Sequence, residues 1–104
     1  MRFARIGGEW KIKLSPAVLA TVNSERSRNP LFERYWAGVL ARLKINAHRD
    51  GEPLGEDRPG EYVFVTGPDQ ETGQPRIVVS YLIMGDTVTI GRLLIGVARG
   101  LSMK

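Results

Sequence analysis

The chain has no cysteine and a single histidine among its 104 residues. Disulfides, zinc–thiolate centres and thiol nucleophiles are thereby excluded, and one histidine without cysteine leaves a metal site short of its usual ligands. The lack of cysteine also fits a reducing compartment. Long apolar runs are missing too. The most apolar stretch, residues 77–98, is interrupted by Asp86 and Arg92 and carries a Gly85-Asp86 turn, so it reads as two strands and not as a membrane span. At the N-terminus Arg2 and Arg5 supply a charged start, but Glu9, Lys11 and Lys13 break any apolar segment that a signal peptide needs. The expectation is a cytoplasmic protein with no membrane partner. Gly91, Gly96 and Gly100 are not followed by the Lys-Ser/Thr of a phosphate-cradling loop, and no nucleophile-elbow sequence occurs. Repeats and low-complexity segments are absent.

What is present is charge, unevenly spread. Residues 1–49 carry ten Lys/Arg against three acids, residues 50–75 seven acids against Arg58, and residues 76–104 four bases against Asp86. A basic body with one acidic region attracts nucleic acid or an acidic protein, although an uneven solvated surface has the same composition. The length suits one domain, and a core of this size needs no staple.

Alternation in Trp10-Lys11-Ile12-Lys13-Leu14 predicts a half-buried strand. Ser15-Pro16 is a helix start, with serine as cap and proline at the first helical position. The helix it opens is apolar at Val18, Leu19 and Val22. Asn29-Pro30 repeats the signal, and Phe32, Trp36, Val39, Leu40 and Leu43 form the stripe of a second helix ending before Asp50-Gly51. Gly38 interrupts that helix at a cost of about 1 kcal/mol, for which close packing against a neighbour is the expected reason. Residues 50–60 read as a polar loop in which Glu52, Glu56, Asp57 and, just beyond it, Glu61 are solvated. Strands follow at residues 62–66, 76–84 and 87–97, with a tight turn at Gly85-Asp86 and a bulge at Gly91. The order is β-α-α-β-β-β, an α+β fold with a helical hairpin on a mainly antiparallel sheet.

That order resembles the RelE/ParE superfamily of toxins from bacterial type II toxin–antitoxin modules. The likeness runs from Trp10-Lys11-Ile12-Lys13-Leu14-Ser15-Pro16-Ala17, through Asp50-Gly51-Glu52-Pro53-Leu54 and Pro75-Arg76-Ile77-Val78-Val79-Ser80-Tyr81-Leu82, to Ile95-Gly96-Val97-Ala98-Arg99. It implies one toxin-like domain over residues 1–104, with residues 1–9 as a lead-in segment. It also implies growth inhibition, by metal-independent cleavage of mRNA at the ribosome or by poisoning DNA gyrase, and a cognate antitoxin as partner; no cofactor is implied. Whether the chain forms a homodimer stays open.

On this resemblance Arg76 matches the phosphate-binding strand arginine, and a guanidinium can grip phosphate bidentately. Its plain alternative is a strand-end arginine paired with an acid of residues 50–75. Arg99 is the second catalytic candidate, at the basic exit of the last strand. Lys11, Lys13 and Arg92 join Arg76 as candidate nucleic-acid contacts, each with a solvated surface as its alternative. Tyr81, on an alternating strand, is expected in the core, and His48 at a helix end is expected on the surface. Val63 and Val65 stand where RelE-like nucleases carry lysines, and the C-terminus lacks their tyrosine or histidine. RNA cleavage needs a base and an acid, so a non-catalytic protein- or nucleic-acid-binding module is the alternative function. An unrelated α+β protein self-associating through its last strand is a third.

Overall fold

A computed structural model describes residues 9–96; residues 1–8 and 97–104, Arg99 among them, lie outside the described part. The period-two alternation forms β1 (Lys11–Leu14), with both lysines exposed and Ile12 and Leu14 turned inward against the core. Ser15 caps α1 (Pro16–Arg28) as expected, its side chain accepting from the Val18 N–H at 3.2 Å. Val18 and Val22 are buried, whereas Leu19 is exposed.

The Asn29-Pro30 signal is used differently from the expectation. Asn29 closes α1 through its N–H to the Glu25 carbonyl, and its side chain accepts from the Leu31 N–H at 3.0 Å. Helix α2 (Phe32–Asp50) therefore starts without a side-chain cap. It buries Phe32, Tyr35, Trp36, Val39, Leu43 and Ala47, and its backbone leaves helical geometry at Asn46. Full burial of side chains such as Phe32, Leu43, Ile77 and Ile90 stabilises the fold by roughly 1.5–3 kcal/mol each. Gly38 is not explained by close packing: a Cβ placed there meets nothing within 4 Å.

The segment after α2 is not wholly a loop. Glu52–Pro53 forms a two-residue strand, β2, beside β3 (Glu61–Thr66), and β4 (Arg76–Met84) and β5 (Thr87–Gly96) complete the sheet. The strand order is β1-β5-β4-β3-β2, with β1 parallel to β5 and the other neighbours antiparallel. The protein is thus α+β, with two helices packed on one side of a five-stranded mixed sheet. β4 lies along one side of β5, and β1 lies along the other over Thr87–Ile90. At Gly51 an added Cβ would stand 2.0 Å from the Tyr81 hydroxyl, so the chain needs glycine to leave α2 over that phenol. Among the described residues no helix is long and apolar enough to cross a membrane.

Candidate nucleic-acid interface

The sheet has two unlike faces. Phe64 on β3, Ile77, Val79 and Tyr81 on β4, and Val88, Ile90 and Leu93 on β5 are buried in the core with residues of both helices. The alternate residues of the same strands form the other face, which no described helix covers. Cross-strand register sets them in rows: Lys11 beside Thr87 and Met84, then Lys13 beside Thr89, Leu82 and Glu61. Arg92 stands beside Ser80, Val63 and Glu52, Leu94 beside Val78 and Val65, and Gly96 beside Arg76. Successive rows lie about 6.5–7 Å apart. Lys11, Lys13, Arg76 and Arg92, the described candidates from the sequence, therefore share one face.

Arg92 reaches that face because of the bulge. Val88 and Ile90 point toward the helices, and uninterrupted alternation would send Arg92 after them. The register instead steps from Ile90 opposite Tyr81 to Arg92 opposite Ser80, skipping Gly91. The extra residue turns Arg92 outward and Leu93 back into the core. The expected bulge is thus present at Gly91.

Among the described residues Arg76, Arg92 and Lys13 make no ion pair, so the loop-acid partner considered for Arg76 is not there. Lys11 lies 3.6 Å from Asp86 in an exposed pair. Asp86 is held below the usual carboxylate range by the Thr87 hydroxyl first and by Lys11 second. Glu61 is not the solvated loop acid of the sequence reading. It is half-buried at the start of β3 and lies 3.2 Å from Arg58. Glu52 is exposed as expected, but it sits on β2 and not in a loop. A cavity of about 540 Å³ on this face is lined by Arg58, Glu61, Ser80, Thr89 and Arg92 among others. Sequence reasoning missed Arg58 and Glu61. Extending the alternation of Val63 and Val65 back by two residues would have found Glu61.

The phenol of Tyr81 and the imidazole of His48 sit elsewhere. Tyr81 is buried on the helix side and donates to the Ala47 carbonyl at 2.5 Å. Burial, then the charge of Asp50, then Tyr62 push its phenol well above the ordinary tyrosine range. His48 is an exposed residue whose ring lies 5.1 Å from that of Trp10, as a surface histidine at the end of a helix. The face carries Lys11, Lys13, Arg76 and Arg92, the carboxylates of Glu52 and Glu61 and apolar rows, and its described residues include no histidine or tyrosine.

No family model, curated protein or solved structure matches the chain. What the face can do rests on its own chemistry: arginines and lysines with free donors hold phosphate oxygens, and the apolar rows between them accept flat or apolar groups.

Proposed function

We propose that the chain is a RelE/ParE-like toxin component of a toxin–antitoxin pair, which engages its target through the helix-free sheet face. The observation that carries this reading is the gathering of Lys11, Lys13, Arg76 and Arg92 on that face. The target is RNA at the ribosome or DNA gyrase. Cleavage of RNA requires a base for the 2′-hydroxyl, cations for the phosphorane and an acid for the leaving oxygen. The face supplies the cations; its half-buried carboxylate, Glu61, is paired with Arg58. A second reading, a non-catalytic binding module, is favoured by the orientation of Tyr81, whose phenol is tied to Ala47 on the opposite side.

Induced expression in a bacterial host, with protein and DNA synthesis followed separately, tests these readings. Rapid loss of translation supports the ribosome-dependent nuclease, and a block in DNA synthesis supports gyrase poisoning. Either arrest should be relieved by Arg76→Ala combined with Arg92→Ala. Unimpaired growth at a verified folded level rejects the toxin and leaves the binding module.

A further inference from the structure

On the helix side of the sheet, α2 and the β3–β4 connection leave a groove of about 480 Å³. Tyr35 and Val39 of α2 and Phe64 of β3 supply apolar lining, while Arg34 and Arg42 bring charge. Gly38 also lines the groove, and the space over it is open. Any larger residue would help the helix and fill this space, so the glycine gains its sense from the groove and not from packing.

One end of the groove is already fixed. The Tyr35 hydroxyl donates to the Thr72 carbonyl at 2.7 Å, and Gln74 Nε2 donates to Thr66 Oγ1 at 3.2 Å. Asp69, the acid in the lining, accepts from the Glu71 N–H at 2.9 Å within the loop. The charge is complementary to an acid. Among the described residues Arg34 has no ion pair, while Arg42 lies 3.2 Å from Asp50 and 5.2 Å from the Phe64 ring centre.

Beside the groove the sheet edge is open. β2 pairs only with Tyr62 and Val63. The Glu61 carbonyl accepts from the Leu54 N–H on the β2 side. Backbone groups two residues apart point the same way, so Val65 turns its N–H and carbonyl outward on that side. β2 ends before it, and among the described residues no strand lies there.

We infer that this groove receives an extended segment of a partner protein that adds to the sheet at Val65. Alternate side chains of the segment enter the groove, an apolar one against Tyr35, Val39 and Phe64 and a carboxylate on Arg34 and Arg42. Strand addition provides affinity through the main chain, and pockets for every second side chain provide specificity. The surface lies across the sheet from the cationic face, so the inference stands apart from the proposed function.

Random twelve-residue peptides displayed on phage and selected against the full chain test it, with enriched peptides then synthesised and titrated by fluorescence anisotropy. Enrichment of alternating apolar residues with at least one Asp or Glu is expected. Gly38→Leu fills the groove and should weaken binding at least tenfold while the melting temperature does not fall. Val65→Pro removes the outward N–H, a change tolerated at a sheet edge, and should weaken binding similarly. Arg34→Glu should discriminate against the acidic peptides. Failure to enrich such sequences overturns the inference. So does enrichment of peptides that bind Gly38→Leu as tightly as the native chain, or that lose affinity only with Arg92→Ala.

Discussion

Tyr81 joins the sheet to the end of α2 through one hydrogen bond, donated to the Ala47 carbonyl 34 residues earlier. Its folded-state acidity is weakened relative to the ordinary value of 10.0, chiefly by burial. The phenol therefore contributes its full stability below about pH 10 and loses it as pH rises toward the folded value. Tyr81→Phe should cost about 1–2 kcal/mol at neutral pH, because the Ala47 carbonyl is left without its donor. The variant should also show a shallower loss of melting temperature above about pH 10 than the native chain. Thermal unfolding in a pH series checks both, and an unchanged alkaline slope would remove the assigned role. Alternation alone placed Tyr81 in the core. Its bond to Ala47 was not legible, because a hydroxyl's partner depends on tertiary approach. Gly38 failed for the same reason: a glycine in a helical stripe can mean contact or space, and only the neighbouring elements decide which.

At the level of elements, alternation and capping signals carried most of the fold. β1, α1, β4 and the Gly85-Asp86 turn lie where the sequence placed them. The start of α2 shifted because Asn29 closes α1 instead of capping the next helix. β2 was missed because two residues, one of them Pro53, carry no readable period. The bulge at Gly91 has the largest consequence, since it decides which way Arg92 points. Deleting Gly91 removes the extra residue, so Arg92 takes the outward place directly after Ile90 and Leu93 keeps its inward one. No charge is buried, so this deletion should keep cooperative unfolding, as followed by circular dichroism. Gly91→Ala, with nothing within 4 Å of the added Cβ, should fold normally. A deletion variant that loses cooperative unfolding would show that the register, and hence the outward place of Arg92, is wrong.

Across the whole molecule, basic residues far apart in sequence become neighbours because β1 lies parallel to β5. The sequence shows a basic N-terminal half and a basic C-terminal segment; their convergence was not legible, for it depends on that one pairing. Charge gathered in this way has a measurable signature. Binding to single-stranded RNA should weaken with salt, with a logarithmic slope near −0.7 per phosphate contact. Arg76→Ala with Arg92→Ala should reduce that slope by about 1.4, two contacts' worth, in titrations of poly(U) at several salt concentrations. An unaltered slope would place the nucleic acid on another surface. The same pairing also sets the timing of folding. Among the described strands β5 is the sole neighbour of β1, and Lys11 meets Thr87 far along the sequence. During synthesis the first strand emerges long before its partner exists. Until then its anchor is α2, where the Trp10 N–H meets the Lys44 carbonyl at 2.9 Å. Closure of the sheet therefore waits until β5 has been made and, as the most distant pairing among the described strands, is the slow event of its folding.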